Sequence, residues 1–317
     1  MMAAEAQGDD DIFVYMGGDQ QVPDGVRRAR IHISVKIVPR RAFYYRRQLI
    51  YVEFHDGVEI IEEEAFESCR SLNAAIKLLG IKIIKAKAFR GCWALTDVEF
   101  GDKLETIEKL AFNRCNSLKK IRMLSVRTIG RSAFCSCMEL SYVEFGEGLV
   151  ALQIYAFMNC PKLERIVLPL KSIIENNVFL HSQNLTTVEL AEGIHNTVAS
   201  LHLESWRREM NDEINRINQP LPTITGGKTP GIQRWMTTVI HHLNQYKEEH
   251  LELLKEATTL LELALRKANL VDNEGGELER EGHRTRGQRK RARKEICVTS
   301  GAHVVIKNVL PFLQLLE

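Results

Sequence analysis

Apolar residues return along this chain with a period of 22–23 residues. Phe stands at 43, 66, 89, 112, 134, 157 and 179, and the residues around it keep one frame. An aliphatic residue lies five before it (Val38, Ile61, Ile84, Ile107, Ile129, Leu152, Ile174), and Ala lies one before it until Val178. Leu follows six after (Leu49, Leu72, Leu95, Leu118, Leu140, Leu163, Leu185). Nine after come Val52, Ala75, Val98, Ile121, Val143, Ile166 and Val188, and eleven after come Phe54, Lys77, Phe100, Met123, Phe145, Leu168 and Leu190. A fixed period of this length predicts a solenoid, in which each coil has no core of its own and stacking supplies one.

The positions nine to eleven after Phe alternate apolar, variable, apolar, which is the period of a half-buried strand. From five before to three after, as in Ile107–Cys115, apolar residues fall three to five apart, which predicts a short helical turn. Stacked coils then make a parallel sheet of about eight strands, with Ala where coils approach closely and Phe between layers. Val26, Ala29 and Ile31 fall in phase as a half-coil, and Ile12–Tyr15 reads as a strand capping the open end. The frame is lost after Ile194.

Val-Glu-Phe or Val-Glu-Leu recurs at 52, 98, 143 and 188, a second period of 45–46 residues. It gives one outward row of Glu53, Ile76, Glu99, Arg122, Glu144, Val167 and Glu189, and a second of Tyr51, Ala74, Asp97, Lys120, Tyr142, Arg165 and Thr187. Alternation keeps like charges off neighbouring strands. The same rows offer a partner a mixed-charge face anchored by Tyr51 and Tyr142. Tyr51, Glu53, Asp97, Glu99, Lys120, Arg122, Tyr142, Glu144 and Arg165 are therefore the expected partner-binding residues, and a flat sheet of this kind suits a protein better than a small substrate.

The coil Ile-x-x-x-Ala-Phe-x-x-Cys-x-x-Leu-x-x-Val-x-Phe resembles the BspA-like class of leucine-rich repeats over roughly residues 26–195. Phe13–Asp19, Trp235-Met236, Leu254–Leu265 and Asn308–Leu313 are in addition similar to a repeat-protein family expanded in some unicellular algae. The resemblance implies a leucine-rich-repeat solenoid of α/β class followed by an α-helical C-terminal region, without catalytic residues. Arg46 and Ser182 depart from the pattern at the Cys position, Val178 at the Ala position, and Lys77 stands where an apolar residue is usual.

The expected organisation is a cap over 1–25, the solenoid over 26–195, a helix and linker over 196–231, a long helix over 232–271, a basic linker over 272–295 and an apolar helix over 296–317. Leu203, Trp206, Met210, Ile214 and Ile217 are spaced for a helix ended by Pro220 and Pro222, and a polar linker runs to about Gly231. Between Ile232 and Leu270, Val239, Leu243, Tyr246, His250, Leu253, Ala257, Leu260 and Ala264 have coiled-coil spacing. Leu251, Leu254, Leu261 and Leu265 widen that stripe, so it predicts either docking within the chain or a partner helix, including a homodimer. Arg284, Arg286, Arg289, Lys290, Arg291, Arg293 and Lys294 form a basic run that reads as a solvated linker, a nuclear import signal or a nucleic-acid contact. No aromatic residues interleave with it, which argues against stacking on single strands.

The formal charge of +2 gives the whole molecule no pull toward nucleic acid or membrane. No apolar run reaches about 18 residues and the start has no signal-peptide pattern. With an odd number of cysteines, 7, the chain reads as soluble and intracellular, cytoplasmic or nuclear. Cys69, Cys92, Cys115, Cys137 and Cys160 share one coil position and read as a ladder of buried free thiols. Cys135-Ser136-Cys137 lacks a second pair at zinc spacing. Gly226–Thr229 lacks the preceding Gly and strand of a phosphate loop. His241, His242 and His250 do not reproduce a metalloprotease spacing. No cofactor, metal or catalytic set is expected.

Overall fold

The computed structural model describes residues 12–191, 193–201, 203–218 and 228–278. Parallel strands line two sides of the repeat, in three consecutive sheets on the face side and one continuous sheet on the back. The face sheet is built from Phe13–Tyr15, Arg28–Ile31, Tyr51–Glu53, Ile76–Leu78, Val98–Phe100, Lys120–Met123, Tyr142–Phe145, Arg165–Leu168 and Thr187–Leu190. A back sheet of seven two-residue strands, Ile37–Val38 through Ile173–Ile174, follows in strict sequence order. On the face sheet, Val52, Val98, Ile121, Val143, Ile166 and Val188 point inward and are buried.

Between the sheets the phenylalanines form one column. Phe43, Phe66, Phe89, Phe112, Phe134, Phe157 and Phe179 are all buried. Centroids from Phe43 to Phe157 are 4.8–5.3 Å apart with planes within 12°, and the column ends at Phe179 after 6.1 Å. Tyr15, in the first strand, stands at the other end, 5.1 Å from Phe43.

The turn around each Phe was expected to be a short helix and is not one. Arg41, Glu64, Lys87, Leu110, Ser132, Tyr155 and Asn177, each two before a Phe, have φ of 54–63°. The residues two after (Tyr45, Ser68, Gly91, Arg114, Ser136, Asn159, His181) have φ of 56–73°. Alternating left- and right-handed residues swing every second N–H toward the next coil. Leu110, Phe112 and Arg114 thus donate to the carbonyls of Arg131, Ala133 and Cys135 at 2.9, 2.8 and 2.9 Å. An α-helix would have kept those donors within its own turn. Each left-handed non-Gly residue costs about 1–2 kcal/mol, which these bonds and the Phe burial offset. Arg114 is exposed, so Arg114→Gly is expected to raise stability by about 0.5–1 kcal/mol in denaturant unfolding, less the added chain entropy.

The cysteines occupy a donor position. The Sγ atoms of Cys69, Cys92, Cys115, Cys137 and Cys160 donate to Phe43, Phe66, Phe89, Phe112 and Phe134 carbonyls at 3.0–3.3 Å. Ser182 does the same for Phe157 at 2.8 Å, which explains its place in the Cys row. Burial pushes the Cys69 and Cys160 thiols up to about 12, so they stay protonated and unreactive.

One coil slips. Ile76 and Leu78 are buried while Ala75 and Lys77 are exposed, and Ile76 pairs with Val98. An extra residue before the strand is removed again after it, and a one-residue shift exchanges inside and outside. The outward rows therefore need correction: Lys77, not Ile76, stands beside Glu99, and Ala75 replaces Ala74. The face-side pairing breaks between Tyr51–Glu53 and Ile76–Leu78, and again between Val98–Phe100 and Lys120–Met123, where a single bridge joins Asp97 to Lys120.

Charge also alternates by coil. Residues 25–52 hold eight Lys/Arg and no Asp/Glu, 53–67 seven acids and no Lys/Arg, and 68–96 six Lys/Arg and no acids. The acidic excess returns over 97–113, then 114–138 holds six Lys/Arg and 139–161 three acids, each without the opposite sign. Ion pairs join adjacent blocks: Arg40–Glu63, Lys82–Glu59, Lys87–Glu64, Arg90–Glu67 and Lys85–Glu108 at 2.8–3.5 Å. Exposed pairs contribute about 0–1 kcal/mol each, so their role is register more than stability. Glu64 is the exception, buried between Arg41 and Lys87. Hydrogen bonding from Lys87, against the opposing effect of burial and with help from Arg41, holds its pKa below the ordinary value. Its contribution is present above the unfolded value, about 4.3, and is lost as pH falls through the lower folded one. Burial instead raises Glu67, whose contribution is present in acid and lost as pH rises through the folded value. Glu67→Gln is thus expected to raise the melting temperature near pH 7 and change it little below pH 4, whereas Glu64→Gln lowers it near neutrality.

Three helices follow: α1 (Gly193–Ala199), α2 (Glu204–Arg216) and α3 (Lys228–Leu278). α3 begins before the expected end of the linker at Gly231 and runs into the segment expected as a linker from 272. Pro230 fits because a first-turn residue needs no N–H donor. The chain divides into two compact units, 1–200 with 209–240 and 201–208 with 241–317. In the first, the last coil has no successor, and side chains at the start of α3 and just after α2 take its place. Thr229 Oγ1 accepts from Phe179 N at 3.1 Å, Asn218 Oδ1 from Val188 N at 2.8 Å, and Lys228 Nζ donates to Leu185 O at 2.7 Å. In the second, Trp206 stacks on Tyr246 at 5.3 Å. Along the seam, Val239, Leu243 and Tyr246 are buried but Leu253 and Leu260 are exposed. No helix among the described residues is long and apolar enough to cross a membrane.

Candidate functional site: the outward rows of the face sheet

Alternation along each face strand brings the expected partner-binding residues to one surface. Asp97, Glu99, Lys120, Arg122 and Arg165 are exposed, and Tyr51, Glu53, Tyr142 and Glu144 are half-buried. Parallel register sets Lys120 beside Tyr142, Tyr142 beside Arg165, and Arg122 beside Glu144. A single bridge joins Asp97 to Lys120.

Asp97, Glu99, Lys120, Arg122, Tyr142 and Arg165 line one open depression of about 910 Å³. Glu144 stands at its side. Its carboxylate accepts Arg122 Nε at 2.7 Å, Arg122 Nη2 at 3.2 Å and the Tyr142 hydroxyl at 2.8 Å. Burial works to raise the Glu144 pKa, but Arg122 and Tyr142 outweigh it and the carboxyl titrates below its ordinary value. Burial, with the bond to Glu144, raises Tyr142. Arg165 lies over the Tyr142 ring at 5.6 Å and pairs with Glu189. Arg122 and Arg165 in the depression are thus held by Glu144 and Glu189 beside it.

Tyr51 and Glu53 are outside this depression, toward the first coil. There Arg28 lies over the Tyr51 ring at 5.5 Å and Arg30 pairs with Glu53 at 2.6 Å. The two groups share a face and are not one site. The candidates Arg284, Arg286, Arg289, Lys290, Arg291, Arg293 and Lys294 lie outside the described residues.

Several lining residues were not expected. Gly101 and Leu124, both twelve after a Phe, and Asp102 border the depression beyond the ends of the strands, and Ser141 and Glu164 border it before them. The signal for Gly101 was the recurrence of Gly at 101 and 146 in one coil position. No group of three or more His, Cys, Asp or Glu side chains is placed to hold a metal among the described residues.

The family model described as the BspA type leucine rich repeat region matches residues 36–163 and 122–205, with 6 copies. Among solved structures, the chain is similar to a leucine rich cell surface protein from Faecalibacterium prausnitzii A2-165, at 25% identity and a TM-score of 0.44, over 58% of this chain and 52% of that one. It is also similar to a leucine rich repeat protein of T. pallidum, at 25% identity and a TM-score of 0.39, over 46% of this chain and 78% of that one. The chain spans about half the length of the Faecalibacterium protein it matches. No curated protein matches it.

Proposed function

Because the chain belongs to the BspA-type leucine-rich repeat family, we propose that it is a non-catalytic scaffold whose face sheet docks a protein partner. One observation carries this reading: the depression over Asp97–Arg165 gathers six of the nine expected residues on one face. Lys120 and Asp97 there are exposed and have no ion pair among the described residues. The titratable groups support a binding role over a catalytic one. Glu144 is held more firmly ionised and Tyr142 more firmly protonated, and neither is poised near neutrality. The free thiols of the Cys ladder support a reducing compartment, cytoplasmic or nuclear, as part of the same proposal. Nucleic-acid contact through the basic run, which lies outside the described residues, and a homodimer through α3 are not part of this proposal.

The test is a photoreactive residue placed at Ser141 in the depression or at Thr128 on the back sheet, with the full chain in extract of its own cells. A defined protein adduct is expected from Ser141 alone, and Lys120→Glu with Asp97→Lys should reduce it about tenfold. Equal adducts from both sites, insensitive to charge reversal, would overturn the reading.

A further inference from the structure

Charge in the depression is compensated unevenly. Arg122 and Arg165 are tied to Glu144 and Glu189, and Glu99 to Lys77, all partners outside the lining. Asp97, Asp102, Glu164 and Lys120 are exposed lining residues with no ion pair among the described residues. Three carboxylates therefore face one ammonium without internal neutralisation. Asp97 and Asp102 bracket the strand Val98–Phe100, roughly 16 Å apart along the chain at strand rise. Glu164 lies about three strand spacings, ~14 Å, from Asp97.

From this imbalance, and resting on the docking reading above, we infer that the partner segment is cationic: an extended stretch with Lys or Arg at two positions four residues apart and an aliphatic residue between. In an extended chain such residues lie about 13 Å apart on one side, which is close to the Asp97–Glu164 separation. The aliphatic residue then falls over Tyr142, which stands in register between Asp97 and Arg165. Lys120, the register neighbour of Asp97, stands between Asp97 and Glu164 and opposes this partner, limiting affinity and selecting against segments with a cation in the middle.

Fluorescence anisotropy with the full chain tests this, using a labelled peptide with Arg, Leu and Arg at alternate positions separated by Ser, and its Glu counterpart. The Arg peptide is expected to bind and to weaken with salt. Asp97→Asn with Glu164→Gln should weaken it about tenfold, and Lys120→Gln should tighten it about threefold. Preference for the Glu peptide, lost in Lys120→Gln, would leave the docking face standing and overturn the cationic partner. Binding of neither peptide would also overturn the inference, while the cross-linking test judges the face independently.

Discussion

Phe112→Ala is expected to destabilise the protein by about 4 kcal/mol and to split its unfolding into two steps. Phe112 is stacked between Phe89 and Phe134 at 5.1 and 5.2 Å, and the edge of Phe100 meets it at 5.9 Å. Removing the ring leaves a gap that neighbours cannot close, because their backbones are tied coil to coil on three sides. A solenoid transmits stability only through adjacent coils, so a weak middle coil uncouples the two ends. Urea unfolding followed by tyrosine and tryptophan fluorescence, with Tyr15 near one end and Trp235 near the other, would resolve the steps. Phe179→Ala should cost less, since only Phe157 of the column adjoins it, at 6.1 Å. A loss below about 1 kcal/mol for Phe112→Ala would mean that the column does not organise the core.

Gly101→Ala should be nearly as damaging, about 3 kcal/mol, although it adds one methyl group. A Cβ there would fall on the Leu79 carbonyl, backbone that cannot swing away, far inside van der Waals contact. The adjacent coil must move, and Gly101 also borders the depression. The variant should therefore melt earlier and bind any partner of the face sheet more weakly. Gly146→Ala would repeat the clash against Leu124, whereas Gly25→Ala, with open space around it, should be neutral and serves as the control.

The residues spoke clearly where one physical demand repeats in every coil. The Phe column, the buried aliphatic rows and the Cys ladder were legible because a slot of fixed size admits few side chains. The turn conformation was not, because its left-handed positions carry Arg, Lys, Leu, Ser and Tyr, and only Gly91, Asn159 and Asn177 hint at it. Without a glycine signature, apolar spacing of three to five reads as helix. The slip at Ile76 was hidden because Ala75 and Ile76 are both apolar, and only Lys77 betrayed the shift. The expected face rows came from strand alternation alone. Which of them share a depression depends on residues beyond the strand ends, such as Asp102 and Leu124, and period-two alternation says nothing about those.

The sign change from block to block has a bearing on how such a chain can lengthen or shorten. Excising residues 68–112 would remove one basic and one acidic block and set Glu67 ahead of the basic stretch that begins at Arg114, so opposite signs still meet. Excising a single period, 68–90, would instead bring two acidic neighbourhoods together. Viable duplications and losses in this lineage are thus expected to come in doublets, and a tandem gene copy of one period would have to acquire reversed charges before it could be kept.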